Sequence, residues 1–128
     1  MENAAKKKVL IIDDEQELVA MLARYFRKNG FKALTAFDGI SGLQKARVEH
    51  PDVIVLDLLM PRMPGEEVCR EIRKDETLAK TPVVMLTVKS GDVNRIVGRV
   101  IGADYYIEKP FEVEALLAKV QLCVTKKR

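Results

Sequence analysis

The chain predicts an α/β fold: a doubly wound (βα)5 arrangement in which a five-stranded parallel sheet lies between two layers of helices. Three observations carry this. Val53 to Leu56 is apolar without a break and runs straight into one carboxylate, Asp57, with Pro51 before it and Pro61 and Pro64-Gly65 after it. Lys8 to Asp13 repeats the theme, an apolar run that ends in acid. A short uninterrupted apolar run is what a strand covered on both faces of a parallel sheet requires. Such runs then alternate with stretches of helical period through short joints. That alternation forces parallel strands linked by right-handed crossovers, with helices on both faces.

Lys8-Val-Leu-Ile-Ile-Asp13 forms the first strand. Glu15 to Asn29 follows with Leu18, Met21, Leu22, Tyr25 and Phe26 at helical spacing, and Asn29-Gly30 supplies a left-handed stop. Phe31 to Phe37 is β-rich, with Ala33, Thr35 and Phe37 on one side. Asp38-Gly39 then opens a helix to about Glu49 that carries Ile40, Leu43 and Ala46. After the strand ending at Asp57, Gly65 to Lys74 gives a third helix with Val68 and Ile72 inward. Thr81-Pro82 restarts the chain as the strand Val83 to Thr87, which ends in a hydroxyl.

Asp92 to Ile101 places Val93, Ile96, Val97, Val100 and Ile101 on one helical stripe. Gly98 weakens that helix by about 1 kcal/mol relative to alanine, so it is expected to be the most mobile one. Gly102-Ala103-Asp104 leads into the strand Tyr105 to Glu108, then Lys109-Pro110. A last helix carries Val113, Leu116, Leu117, Val120 and Val124.

A length of 128 residues with 48% hydrophobic and 32% charged composition suits one domain with a real core and is too short for two. The domain is expected over residues 8–125, between tails at 1–7 and 126–128. Much of the net charge of +3 sits in Lys6-Lys7-Lys8 and Lys126-Lys127-Arg128. No aromatic residue interleaves these lysines and no basic helix face accompanies them, so both read as solvated tails and no direct nucleic-acid contact is expected. No apolar run is long enough to span a membrane, and Met1 to Ala5 lacks a signal-peptide core, so a cytosolic protein without membrane association is expected. Cys69 and Cys123 lie outside metal or redox spacing and read as reduced, partly packed thiols.

Because parallel strands share one direction, Asp13-Asp14, Asp57, Thr87 and Lys109 must gather at the carboxyl edge of the sheet. Ligands bind open α/β sheets at that edge. Singly each residue has an ordinary use, as turn former, capping hydroxyl or surface lysine. Together, three carboxylates repel one another unless a cation sits among them. Oxygen ligands with no His or Cys nearby favour Mg²⁺ or Mn²⁺ over zinc, and Mg²⁺ keeps room for phosphate oxygens. A phosphoryl group is the expected visitor, taken by a carboxylate as aspartyl phosphate.

At this point the chain resembles a known family. Val9-Leu10-Ile11-Ile12-Asp13-Asp14-Glu15, Val55-Leu56-Asp57-Leu58-Leu59-Met60-Pro61 with Pro64-Gly65, Thr87, Gly102-Ala103-Asp104-Tyr105-Tyr106 and Lys109-Pro110-Phe111 are similar to the receiver domain of bacterial response regulators, the CheY-like phosphoacceptors of two-component signalling. The five motifs occur in order over almost the whole chain. The resemblance implies a flavodoxin-like three-layer sandwich with strand order 2-1-3-4-5. It implies that Asp57 accepts phosphate from a sensor histidine kinase or histidine phosphotransfer protein, with Asp13, Asp14, Asp57 and the Leu59 carbonyl as ligands of Mg²⁺ or Mn²⁺. By the same resemblance Lys109 pairs with phosphoryl oxygens, Thr87 moves toward them, and Tyr106 rotates inward behind it. That switch reshapes the face made by the fourth helix, fifth strand and fifth helix. The Lys109-Pro110 bond is expected to be cis, against a base rate near 5% for such bonds. The protein is expected to be no enzyme beyond its own phosphotransfer and autodephosphorylation.

Some residues depart from the family's commonest pattern. Val88 follows Thr87 where a smaller residue is usual and is expected to slow phosphorylation by small donors. Leu59 and Lys89 flank the pocket at variable positions, and an apolar Leu59 is expected to lengthen the phosphoryl lifetime because it cannot position water. The last helix, Glu114 to Lys119, resembles that of regulators that dimerise, with Arg95, Arg99, Asp104 and Lys119 as candidate cross-subunit ion pairs; alternating charge is equally ordinary on an exposed helix. His50 reads as a surface or C-capping residue at the far end of the strand from Asp57. Met60 and Met63 are expected to pack in their loop. A haloacid-dehalogenase-type phosphatase would need an acid two residues after Asp57, where Leu59 stands. A flavodoxin would need a hydroxyl-rich phosphate loop where Asp13-Asp14-Glu15 stands. Either a free-standing receiver or the excised receiver of a larger regulator is expected.

Overall fold

β3 (Val53–Asp57) lies at the centre of the sheet with all five residues buried. β1 (Lys8–Ile12) and β4 (Val83–Val88) flank it, and β2 (Lys32–Ala36) and β5 (Tyr105–Lys109) form the edges, every pairing being parallel. The order is β2-β1-β3-β4-β5, as expected. These elements come from a computed structural model that describes residues 5–88 and 102–125. Within that range the helices are α1 (Gln16–Lys28), α2 (Gly39–Glu49), α3 (Gly65–Lys74) and a C-terminal helix, Val113–Thr125. The helix expected over 92–101 lies outside the described residues, as does Lys89.

Alternate strand residues feed two separate cores, which is why the strand sequences show no polar break. Leu10, Ile12, Ile54, Leu56, Val83 and Met85 meet Leu43 and Ala46 of α2 and Val68, Cys69 and Ile72 of α3. Val9, Ile11, Val53, Val55, Val84 and Leu86 meet Val19, Leu22, Ala23 and Phe26 of α1 and Leu116, Val120 and Cys123 of the C-terminal helix. At about 25 cal/mol per Å² of apolar surface, these two faces supply the main drive to fold.

α1 ends as its sequence demands. Gly30 takes φ +92°, its N–H donates to Arg27 O and the Phe31 N–H to Phe26 O, the pattern that satisfies a helix's last carbonyls. The Phe31 ring then packs edge-on against Phe26, with centroids 5.5 Å apart. His50 closes α2 at φ 50°, as the C-cap expected of it.

Three sequence expectations shift by one or two positions. The buried stripe of α1 is Val19, Leu22, Ala23 and Phe26, whereas Met21 is exposed and Leu18 and Tyr25 only half-buried. In α2, Ile40 is half exposed and Gly42 takes the inward place. A Cβ on Gly42 would lie 2.6 Å from Ile12 Cδ1, so the helix approaches the sheet through its glycine face and Ile40 is rotated outward. Phe37 lies past the end of β2 and is exposed, because the chain leaves the sheet at Ala36 to reach the Asp38 cap. Asp38 Oδ1 accepts the Ser41 N–H at 2.8 Å, and that bond holds the carboxyl below the usual range.

Arg73, at the end of α3, binds three loop carbonyls. It donates to Thr81 O at 2.8 Å, Ala79 O at 3.2 Å and Gly102 O at 3.1 Å. It also reaches Asp104 Oδ2 at 3.1 Å, the same oxygen that accepts the Val83 N–H at 2.8 Å. Asp104 Oδ2 thus holds the end of α3 and the start of β4 together within the chain. Arg73→Ala is expected to cost about 2 kcal/mol, since it strips donors from partly buried carbonyls. Urea unfolding measures this, and a loss under about 0.5 kcal/mol would show that water replaces the guanidinium.

Candidate functional site

Among the described residues three polar side chains are buried: Asp13, Asp57 and Thr87. Burying an ionisable group is costly unless a partner offsets it, so such a cluster marks a site rather than a scaffold. The sheet register places them together. Ile12 lies opposite Leu56, so Asp13 and Asp57, one step further on, leave neighbouring strands at the same edge. Thr87 follows Leu86, the partner of Asp57, and Lys109 pairs with Val88 at the end of β5.

Carboxylate oxygens of Asp13, Asp14 and Asp57 lie within 4.8 Å of one another. Lys109 reaches into this cluster, with Nζ 2.8 Å from Asp13 Oδ2 and 3.6 Å from Asp57 Oδ1. Burial, reinforced by the neighbouring Asp13 charge, pushes the Asp57 carboxyl up to about 7, against the pull of Lys109. Burial works to lower Lys109, but the carboxylates of Asp13, Asp57 and Glu15 outweigh it and hold the ammonium above its usual range. One cation thus serves three buried or clustered acids.

The donor set fits a divalent ion. Asp13 Oδ1 accepts the Glu15 N–H at 2.9 Å, while the fully buried Oδ2 faces the Lys109 ammonium at 2.8 Å. Three clustered acids balanced by a single ammonium, with no nitrogen or sulfur ligand among the described residues, suit Mg²⁺ or Mn²⁺. Leu59 belongs to the site through its backbone, which lies against the Asp57 carboxylate and lowers its pKa, while its side chain is exposed.

The remaining candidates surround this cluster. Thr87 Oγ1 donates to Ile107 O at 3.5 Å, so the hydroxyl is held by β5. Tyr106 pairs with Met85 and is half-buried on the α3 side of the sheet, where burial raises its phenol pKa. The Lys109-Pro110 bond is cis, as expected. Val88 is partly exposed and shares a groove of about 450 Å³ with Leu18, Met21, Lys109, Pro110 and Phe111. Met60 is buried and Met63 packs beside it, as expected of the loop after Asp57. Lys119 lies over the Tyr105 ring, 5.0 Å from its centroid. Arg95 and Arg99 lie outside the described residues. A larger groove, of about 650 Å³ between Lys6, Lys8, Arg27 and Lys32, opens at the opposite edge, where β1 and β2 begin.

Sequence reasoning assigned no role to two residues at the site. Glu15 Oε1 is 3.5 Å from Lys109 Nζ, and its place directly after Asp13-Asp14 was the available signal. Gly65 packs its α-carbon onto the Asp57 backbone, a proximity that no local pattern announces.

Comparison with known proteins agrees with this geometry. The family model for the response regulator receiver domain matches residues 9–121. Over 115 residues the chain is 38% identical to the alkaline phosphatase synthesis transcriptional regulatory protein PhoP of Bacillus subtilis, a match that covers 90% of this chain and 47% of that protein. The chain thus spans about half the length of this curated relative. Among solved structures, the chemotaxis protein CheY4 of Vibrio cholerae superposes with a TM-score of 0.85 at 34% identity, covering 91% of this chain and 98% of that one. The receiver domain of a Francisella response regulator gives a TM-score of 0.85 at 32% identity, covering 93% and 97%. A buried aspartate flanked by an acidic pair and a lysine, at the carboxyl edge of a 2-1-3-4-5 parallel sheet, together with these matches, places the chain in the response regulator receiver domain family.

Proposed function

We propose that Asp57 accepts a phosphoryl group from the phosphohistidine of a sensor kinase or histidine phosphotransfer protein, using Mg²⁺ or Mn²⁺. The observation that carries this is the convergence of Asp13, Asp14 and Asp57 oxygens within 4.8 Å, with Lys109 alongside. Asp13, Asp14, Asp57 and the Leu59 carbonyl hold the divalent ion, which when bound neutralises charge on the incoming phosphoryl oxygens. An Asp57 carboxylate oxygen attacks phosphorus, the phosphorus–nitrogen bond of the donor breaks, and the electron pair leaves with the imidazole. An acyl phosphate remains on Asp57. Lys109, already 3.6 Å from Asp57 Oδ1, pairs with a phosphoryl oxygen, and Thr87 turns from Ile107 O toward another. Tyr106 then moves into the space that Thr87 vacates, and the surface around β5 and the C-terminal helix changes for a partner or a second copy.

On this reading the protein catalyses only its own phosphotransfer and autodephosphorylation, acts in the bacterial cytoplasm, and contacts neither membrane nor nucleic acid through this domain. Among the described residues no helix is long and apolar enough to cross a membrane. Joined to further chain, as the match to half of PhoP suggests, such a domain would control an output such as transcription. Incubation with acetyl phosphate and Mg²⁺ followed by intact mass tests the central claim. One added phosphoryl group is expected in the wild type and none in Asp57→Asn. A gain that survives in Asp57→Asn would move the acceptor elsewhere.

A further inference from the structure

Lys109 has one positive charge and three carboxylates within reach. Its Nζ lies 2.8 Å from Asp13 Oδ2, 3.5 Å from Glu15 Oε1 and 3.6 Å from Asp57 Oδ1. Asp13 and Asp57 are almost wholly buried, whereas the Glu15 side chain is 61% exposed. The Glu15 backbone is fixed, its N–H held by Asp13 Oδ1 and its carbonyl accepting the Val19 N–H at 3.0 Å. A carboxylate on a fixed backbone with a solvated head is able to follow an ammonium at little cost; the two buried acids are not.

Lys109 now occupies the approach to Asp13 Oδ2, with which it pairs at 2.8 Å. A divalent ion and an ammonium on one buried oxygen repel strongly in such a poorly solvated place. Lys109 must give up Asp13 for the ion to bind, and a charge pushed off with no acceptor would resist that exchange. We infer that Glu15 is the positioning residue that receives the Lys109 ammonium when a divalent cation enters the acidic cluster, keeping the lysine beside Asp57 for the phosphoryl oxygens. No covalent bond changes: Lys109 exchanges one carboxylate partner for another. This rests on the cation-dependent phosphoacceptor reading and deepens it by naming the residue that makes room for the ion.

Titration of Mg²⁺ into metal-free protein by calorimetry, in a double-mutant cycle of Glu15→Gln and Lys109→Met, tests the exchange. In the wild-type background Glu15→Gln is expected to weaken Mg²⁺ about three- to tenfold, because the displaced lysine loses its acceptor. Lys109→Met is expected to tighten Mg²⁺, and in that background Glu15→Gln should change affinity by less than about twofold. An equal loss in both backgrounds would make Glu15 a simple through-space charge and overturn the inference, leaving the proposed function intact. No Mg²⁺ binding in any of the four proteins would overturn the cation reading and this inference with it. Circular dichroism checks folding, with Lys109→Gln as the substitute if the methionine variant does not fold. As a second readout, NMR of the Lys109 ε-methylene should show a Mg²⁺-induced shift in the wild type that is altered in Glu15→Gln; identical shifts in both would count against the exchange.

Discussion

Replacing Gly65 by alanine is expected to lower stability by about 3 kcal/mol or more and to slow phosphorylation of Asp57 at the same time. A Cβ at this position would overlap Asp57 O and lie 2.8 Å from Leu58 Cα. Both neighbours are backbone, so no rotamer change relieves the overlap; α3 or the end of β3 has to move. The Gly65 N–H also donates to Leu58 O at 2.8 Å, which ties the first turn of α3 to the loop after Asp57. Gly30 is the internal control. It has φ +92° but nothing within 4 Å of where a methyl group would stand, so Gly30→Ala should cost only about 1 kcal/mol of backbone strain. Urea unfolding of the two variants, with the acetyl phosphate reaction followed by mass, separates clash from strain. Equal losses in the two would show that the β3–α3 joint yields easily.

The second large effect is one of pH. In EDTA the protein is expected to lose stability as pH rises from about 4 to 7, by about 2–4 kcal/mol, and Asp57→Asn is expected to remove most of that loss. The sign follows from the direction of the shift. Burial and the Asp13 charge raise the folded carboxyl to about 7, whereas an unfolded aspartate titrates near 3.9. Below the unfolded value both states hold the proton and the group costs nothing. Between the two values the folded state keeps a proton that the unfolded state releases, so unfolding gains with each step in pH. Above 7 the full cost of a buried, repelled carboxylate is present. Saturating Mg²⁺ at pH 7 to 8 should restore stability to the wild type and much less to Asp57→Asn. Urea unfolding at four pH values reads both results, and parallel pH slopes for the two proteins would remove Asp57 as the source.

Parts of this were legible in the chain. Unbroken apolar runs such as Val53 to Leu56 specify strands covered on both faces, and parallel direction alone brings Asp13, Asp57, Thr87 and Lys109 to one edge. The helix faces were less legible. Met21 and Ile40 satisfy the helical period yet lie outward, because Gly42 against Ile12 and the packing of Val19 and Ala23 set the rotation of each helix. The use of Asp104 by Arg73 and Val83 joins residues 31 and 21 positions apart in sequence, which no local pattern records.

From the order of its residues alone, this protein determined a doubly wound sheet, the edge at which chemistry gathers, and the carboxylate that ends the central strand. Tertiary structure alone decided how one lysine is divided among Asp13, Glu15 and Asp57, and how closely Gly65 seats α3 against the end of β3. The reason is one of scale: strand direction and two-face burial follow from composition along a segment. Charge sharing and backbone contact turn on separations of a few ångströms between residues far apart in the chain, set only when the layers pack.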